Sequence, residues 1–259
     1  MTVELAAREL GSGEPLLLLH GLFGSSRNWV SIQKQLANTH QVISLDLRNH
    51  GDSGRHAQMN YSLMADDVQA FLDGRGLRQV ALLGHSMGGK VAMTLALRNP
   101  AQVGPLIVVD IAPVRYPPHH TEIVAGLRAL DLSALDGRKD ADDRLRASVP
   151  DPQVRGFLLQ NLVQKEGRWS WRINLAAIDN CLDALGDFPF APGEAVYPHP
   201  SLFICGGDSD YVTAERHPVI TCAFPSAQIV ELPGVGHWPH AQVPEAFINQ
   251  VRRFMGLPH

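Results

Sequence analysis

A serine flanked by glycines has the sequence context that most strongly predicts chemistry in this chain. Residues 84–89 read GHSMGG, and they place Ser86 between an apolar run at 80–84 and a stretch with helical periodicity. A Gly-x-Ser-x-Gly sequence between a strand and a helix forms a tight, strained turn that lifts the hydroxyl clear of the backbone. The N-terminus of the following helix stabilises negative charge that develops there. The pattern predicts Ser86 as a nucleophile, and a plain glycine-rich turn is the weaker alternative.

A nucleophilic serine needs two N–H donors for the oxygen that becomes negatively charged in the transition state, each worth about 3 kcal/mol. One predicted donor is the backbone N–H of Met87, which follows the nucleophile. The other is the N–H of Leu22, in the segment HGLFG at 20–24. Phe23 of that segment is predicted to line the substrate pocket. His20 is expected to hold the loop by a hydrogen bond and to take no part in the reaction.

The nucleophile also needs a base, and His237 is the predicted one among the 12 histidines. It lies in PGVGHW at 233–238, where the glycines allow the loop to fold back toward the nucleophile. A histidine late in the chain fits the order serine, acid, histidine. His240, three residues further on, is interpreted as a bystander.

The acid that orients the histidine has three candidates. Asp110 ends the predicted strand at 106–110, whereas Asp208 and Asp210 follow the predicted strand at 202–206. Each position lies where the carboxyl ends of parallel strands meet, and each aspartate has an ordinary alternative as a turn residue. Spacing alone leaves the choice open.

The elements that must position these residues are visible as short apolar runs between helical patterns. Such runs are typical of a mostly parallel sheet that is covered by helices on both faces. A helix after residue 60 is predicted to be capped by Asn60 or Ser62, a second follows Ser86, and a third spans 244–255. The predicted strands are 16–20, 42–46, 80–84, 106–110, 202–206 and 229–232.

The alternation of strands and helices stops between about residues 112 and 199. Helical patterns at 122–130, 142–148, 154–164 and 175–185 occupy this stretch, and the strand series resumes after it. The predicted organisation is a core of residues 1–112 and 200–259 with a helical cap inserted at 113–199. Trp169 and Trp171 in the cap either wall a substrate pocket or pack the cap onto the core, and packing is the preferred interpretation.

Composition excludes several classes of function. The net charge is −4 and gives no basic face for nucleic acid, and no run of 18 apolar residues predicts a membrane span. The three cysteines form no CxxC pattern, which disfavours disulfides and favours a cytoplasmic location. His119 and His120 have no third ligand at a recognisable spacing, so no metal site is predicted.

Taken together, several segments resemble the bacterial YbfF-type esterases of the α/β-hydrolase superfamily over nearly the whole chain, and only the cap matches loosely. The segments that carry the resemblance are HGLFGS at 20–25, DLRNHGDS at 46–53, GHSMGGK at 84–90, VDIAPV at 109–114 and GHW at 236–238.

The resemblance implies an α/β-hydrolase fold and activity on short acyl esters and on acyl thioesters. It implies that Asp110 is the acid. Asp210 ranks second, because its spacing from Gly207 suits the late-strand position, and Asp208 is a further alternative. It also implies that Ser209 helps to hold the histidine. The usual segment of the family is Gly-Gly-Asn-Ser, so Asp208 and Asp210 are departures that leave the late-strand acid open.

The leading hypothesis is therefore a serine hydrolase that cleaves esters or thioesters of small to medium acyl groups. It would need no cofactor and would act on a small molecule as a monomer or homodimer. The same three residues also support hydrolysis of carbon–carbon bonds or perhydrolysis. A ligand-binding receptor with a vestigial triad is the alternative from another class. In the segment at 46–53, Asp46 and Arg48 are expected to brace the loops, and a substrate phosphate is the alternative partner.

Overall fold

The strands form one large sheet and one separate hairpin in the computed structural model, which describes residues 1–117 and 120–258. The strands are β1 (Ala7–Leu10), β2 (Glu14–Leu19), β3 (His40–Leu45), β4 (Val80–His85), β5 (Val103–Val109), β6 (Leu162–Lys165), β7 (Arg168–Trp171), β8 (Ser201–Gly206) and β9 (Ala227–Leu232). The large sheet has the order β1-β3-β2-β4-β5-β8-β9 and is parallel except for β1. Strands β6 and β7 pair with each other in antiparallel fashion.

Alternate residues of the central strands enter two different apolar layers. In β2, Leu17 and Leu19 belong to one core cluster, whereas Leu16 and Leu18 belong to the other. All four side chains are fully buried, because helices cover both faces of the sheet. This explains why the strands are continuous apolar runs, and the predicted α/β-hydrolase architecture is confirmed.

The six predicted strands are all present. The sheet also contains β1, which the sequence did not predict. Three of its four residues are exposed, since it pairs with β3 at the edge of the sheet. An exposed edge strand has no apolar run, so periodicity gives it no signal. Asp110 follows directly after β5 and stands at the carboxyl edge of the sheet.

The helices that position the predicted site flank the sheet. In the described part of the chain, no helix is long and apolar enough to cross a membrane. The predicted helix after Ser86 runs to Arg98, and the last helix has the predicted bounds. The helices are α1 (Val30–Leu36), α2 (Tyr61–Gly74), α3 (Met87–Arg98), α4 (Thr121–Ala129), α5 (Arg138–Leu145), α6 (Pro152–Leu159), α7 (Leu175–Asn180), α8 (Leu182–Gly186), α9 (His217–Ala223), α10 (Pro239–Gln242) and α11 (Pro244–Met255).

The segment between β5 and β8 contains helices α4 to α8 and also the β6–β7 hairpin. The helix predicted at 154–164 is therefore wrong at its end, since α6 stops at Leu159 and β6 begins at Leu162. Glu166 and Gly167 join the two strands with φ values of 51° and 76°. A two-residue hairpin turn with positive φ at both residues has a twist that matches the right-handed twist of the flanking strands. The division of the chain at residues 113 and 199 stays a prediction.

The structure selects Asn60 as the cap of α2, because its side chain accepts a hydrogen bond from the backbone N–H of Leu63 at 2.8 Å. We expect Asn60→Ala to lower the free energy of unfolding by about 1 kcal/mol, since it leaves this N–H without its partner. Ser62→Ala, within the first turn of the same helix, is the matched control and should change it by less than about 0.5 kcal/mol. Urea unfolding measures both, and equal effects would contradict the assignment.

Candidate active site

The turn that carries Ser86 is forced by close backbone contacts. Ser86 has φ 51° and ψ −114°, a strained conformation for a residue with a side chain. A Cβ atom on Gly84 would lie 2.3 Å from the carbonyl oxygen of Gly88, and one on Gly88 would lie 2.4 Å from that of Leu19. Only glycine fits at either position, and the Ser86 N–H is held by the carbonyl of Val109 at 3.0 Å. The turn therefore fixes the hydroxyl at the carboxyl edge of the sheet.

The side chains of Ser86, His237 and Asp110 form one hydrogen-bonded row. The Nε2 atom of His237 lies 3.0 Å from Oγ of Ser86, and its Nδ1 atom lies 2.7 Å from Oδ2 of Asp110. Because a carboxylate only accepts hydrogen bonds, Nδ1 carries the ring proton, and its N–H donates a hydrogen bond to Asp110. The lone pair of Nε2 then faces the hydroxyl, which is the arrangement that a base for this hydroxyl needs.

The carboxylate of Asp110 is buried and receives three hydrogen bonds. The backbone N–H of Gly206 donates to Oδ1 at 2.9 Å, and the hydroxyl of Ser209 and the ring of His237 both donate to Oδ2. Ser209 thus contacts His237 indirectly. Its hydroxyl donates to Asp110, and it accepts a hydrogen bond at 3.3 Å from the backbone N–H of Tyr211, whose ring stacks on His237.

The alternative acids lie on the surface. Asp208 and Asp210 are both exposed, and neither carboxylate occupies the position at Nδ1 of His237. The backbone carbonyl of Asp210 accepts a hydrogen bond from the guanidinium of Arg216. The loop after β8 instead presents Ser209 toward Asp110, so the geometry favours the earlier strand as the source of the acid.

Two aromatic residues that sequence reasoning did not single out fix the position of His237. The ring of Tyr211 stacks on its imidazole, with centroids 4.1 Å apart and planes at 24°. The Nε2–H of His85 donates to the backbone carbonyl of His237 at 2.7 Å. Burial lowers the pKa of His85 well below its ordinary value, so this ring remains neutral. The only signal in the sequence was the position of His85 inside the serine motif.

The predicted oxyanion residues, Leu22 and Met87, both line the cavity beside Ser86. Met87 is the first residue of α3, where a backbone N–H has no partner within the helix. The loop of Leu22 approaches closely because Gly21 has no side chain: a Cβ there would lie 2.8 Å from Nδ1 of His85.

The same loop is held on its far side by a neutral histidine. Phe23 has φ 62°; its N–H donates to Nε2 of His50 at 3.2 Å, and its carbonyl accepts from Nδ2 of Asn161 at 2.7 Å. Nδ1–H of His50 donates to the carbonyl of Arg48 at 2.9 Å. Burial lowers the pKa of His50 to about 3, so the ring keeps one donor and one acceptor.

His20 braces the start of this loop, in the structural role predicted for it. Its Nδ1–H donates to the carbonyl of Gly21 at 2.8 Å, while its Nε2 accepts from the N–H of Leu47 at 2.9 Å. Burial lowers its pKa, which keeps the ring neutral, as both contacts require.

A buried ion pair anchors the segment that supplies this bracing. The guanidinium of Arg48 donates twice to the carboxylate of Asp67, at 2.6 and 2.8 Å, and both side chains are buried. Asp46, which was considered together with Arg48, instead accepts the backbone N–H groups of Ser26 and Asp52 at 2.6 and 2.8 Å. Both residues brace loops, as expected, but each does so with other partners.

Two cavities adjoin Ser86. The smaller has a volume of about 50 Å³, and the larger has about 230 Å³. Residues on the smaller cavity include Leu22, Tyr61, Met87, Lys90, Tyr116 and Leu185. Residues on the larger cavity include Phe23, Ile123, Val154, Phe157, His237 and Trp238.

Of the three predicted pocket residues, Phe23 lines the larger cavity and the two tryptophans line neither. Trp169 and Trp171 are half-buried on β7 and pack against the main apolar core cluster, which agrees with the preferred interpretation of packing over a pocket wall. Within residues 1–117 and 120–258, no group of three His, Cys, Asp or Glu side chains is placed to hold a metal ion. His119 of the histidine pair considered above lies outside the described residues.

This fold and this row of side chains define a class, and comparison with known proteins agrees. The model of the α/β-hydrolase fold family matches residues 14–244, and the chain belongs to this family. Its relatives place it among the esterase- and lipase-type serine hydrolases.

Three similar proteins support this placement. The esterase YbfF of Escherichia coli is 35% identical over 253 residues, with 96% of each chain covered. The mouse sn-1-specific diacylglycerol lipase ABHD11 is 40% identical over 248 residues, which cover 93% of this chain and 80% of the lipase. The solved structure of a marine microorganism esterase is 40% identical and superposes with a TM-score of 0.93 over 98% of this chain and 100% of that one.

The buried ion pair of Arg48 and Asp67 predicts that two neighbouring aspartates of α2 contribute differently to the free energy of unfolding. We expect Asp67→Asn to lower the free energy of unfolding by about 3 kcal/mol, because it leaves the buried guanidinium of Arg48 without its counter-charge. Asp66 pairs with Arg98 at 2.8 Å on the surface, so Asp66→Asn should cost less than about 1 kcal/mol. Denaturant unfolding of the two variants measures the difference, and losses of similar size would refute it.

Proposed function

We propose that this protein hydrolyses esters and thioesters of small to medium acyl groups through a covalent acyl-enzyme. Ser86 is the nucleophile, His237 the general base and acid, and Asp110 the residue that orients His237. The observation that carries the proposal is the row of hydrogen bonds that joins these side chains at 3.0 and 2.7 Å. The identities of 35–40% to proteins named as esterases or lipases support it.

In the first half of the reaction, Oγ of Ser86 attacks the acyl carbon while Nε2 of His237 takes the hydroxyl proton. The carbonyl oxygen becomes an oxyanion, which accepts hydrogen bonds from the N–H groups of Leu22 and Met87. When the tetrahedral intermediate collapses, the bond to the leaving oxygen or sulfur breaks. His237 gives its proton to that atom, and the acyl group remains on Ser86.

In the second half, water replaces the leaving group. His237 takes a proton from the water as its oxygen attacks the acyl carbon, and the same two N–H groups hold the new oxyanion. Collapse breaks the bond to Oγ of Ser86, which recovers its proton from His237, and the carboxylic acid leaves. Asp110 stays ionised throughout and stabilises the imidazolium that forms in each half.

The inserted segment completes the site, and we propose that residues 113–199 act as its cap. Helix α8 contributes Leu182 and Leu185 to the smaller cavity, while α4 and α6 contribute Ile123 and Phe157 to the larger one. A substrate bound at Ser86 is thus enclosed between core and cap. We also propose a reducing, cytoplasmic location, since all three cysteines are free thiols.

A fluorophosphonate probe tests the nucleophile directly. It should label the wild-type protein and the control Ser62→Ala, and it should leave Ser86→Ala unlabelled, because the probe reacts with an activated serine hydroxyl. Mass spectrometry of the intact protein reports the adduct. An unlabelled wild type would favour the receptor with a vestigial triad, and a labelled wild type inactive on every ester and thioester would favour carbon–carbon bond hydrolysis.

The assignment of the acid is tested by two amide substitutions. Asp110→Asn should lower kcat by about 10⁴-fold, because an amide cannot hold the proton on Nδ1 of His237. Asp210→Asn, the matched control on the exposed loop, should leave kcat within about threefold of wild type. Hydrolysis of p-nitrophenyl acetate measures both, and loss of activity in the second variant alone would show that the acid is Asp210.

A further inference from the structure

The position of His237 determines which cavity receives which half of the substrate. His237 must protonate the leaving atom, so the leaving group lies on its side of Ser86. The larger cavity, which includes His237 and Trp238, is therefore the leaving-group side. The smaller cavity extends from Ser86 past Met87, so it is the acyl side.

A buried lysine lines the acyl side. Lys90 lies one helical turn after Ser86 on α3, is 1% exposed and lines the smaller cavity. Its ammonium donates to the backbone carbonyls of Gly186 at 3.0 Å and Asp187 at 2.6 Å. An ammonium has three donors, so these two contacts leave one available.

No carboxylate of the described chain lies within ion-pair distance of this ammonium, although buried charges are normally paired. The rings of Tyr61 and Tyr116 face it at 5.1 and 4.8 Å, and they contribute only their π electrons. The side chain of Asp187 is half-exposed and lies 3.5 Å from Arg115, where water screens its charge. Burial lowers the pKa of Lys90 to about 7, with the Asp187 charge opposing the shift.

The dimensions of the cavity restrict the ligand that this cation can meet. A volume of about 50 Å³ holds a few water molecules or a short chain, and Tyr61, Tyr116 and Leu185 close it. A long saturated acyl chain would need more space and would bring methyl groups against a charge. A short acyl chain that ends in an oxygen anion is suited to the small volume and accepts a hydrogen bond from the third N–H of Lys90.

We propose that the acyl side binds the half-ester or half-thioester of a short dicarboxylic acid, and that Lys90 receives its free carboxylate. This specificity rests on the proposed function, because it assumes that an acyl group is transferred to Ser86. The carboxylate supplies the counter-charge that no carboxylate of the described chain provides for Lys90, and a charge-assisted hydrogen bond is about twice as strong as a neutral one.

The test compares two substrates with the same leaving group and the same number of tail atoms. Monoethyl succinate ends in a carboxylate, and ethyl 4-methylpentanoate ends in two methyl groups at the same place. We expect kcat/KM of the wild type to favour the succinate ester by about 10- to 100-fold at pH 6.5, where Lys90 is largely protonated. Ethanol release measures both rates.

Lys90→Met keeps the length of the side chain and removes its charge, so it should abolish most of this preference. Arg115→Met removes an exposed cation near the same cavity and should change the preference by less than about threefold. If Lys90→Met does not fold, the wild-type ratio still decides, since equal rates or a preference for the methyl-ended ester overturn the inference. Failure to cleave ethyl acetate and both of these esters would count against the proposed function itself.

Discussion

The carboxylate of Asp110 is the group on which the arrangement of the site depends. It accepts hydrogen bonds from the backbone of Gly206 at the end of β8, the hydroxyl of Ser209 in the loop after β8, and the ring of His237 in the loop after β9. The carboxylate is thereby satisfied in a buried position, where an unpaired charge would be costly. A single group therefore sets the tautomer of His237 and ties the last two strands of the parallel sheet to the strand before them.

Neutral histidines form a second layer of support around this row. His20 and His50 each use one ring nitrogen as donor and the other as acceptor, and both hold backbone of the loop at 20–24. His85 donates to the backbone carbonyl of His237. Burial lowers the pKa of all three rings, and the neutral form is the one that His20 and His50 need in order to accept a backbone N–H. His237, in contrast, is partly exposed and has one nitrogen directed at Ser86 and the other at Asp110.

Sequence reasoning singled out Ser86 and His237, which the structure places 3.0 Å apart, because the turn around Ser86 requires Gly84 and Gly88 and the loop before His237 contains Gly234 with a φ of 71°. Residue spacing left the choice of acid open. Asp110 and Asp210 both stand at the carboxyl edge of the sheet, and spacing along the chain does not predict which side chain points toward His237. The β6–β7 hairpin was missed because four-residue strands give a weak alternation beside a helical pattern. The bracing contacts of His50, Tyr211 and Asp67 join residues that are 19 or more positions apart, and sequence periodicity does not predict such contacts.

The hydrogen bond from Asn161 to the carbonyl of Phe23 joins the segment between β5 and β8 to the loop that carries Leu22. Lys90 of α3 joins the same segment to the core through the carbonyls at the end of α8. A movement of this segment away from the sheet would break these hydrogen bonds. The support of the loop at 20–24 therefore depends in part on where the segment between β5 and β8 sits.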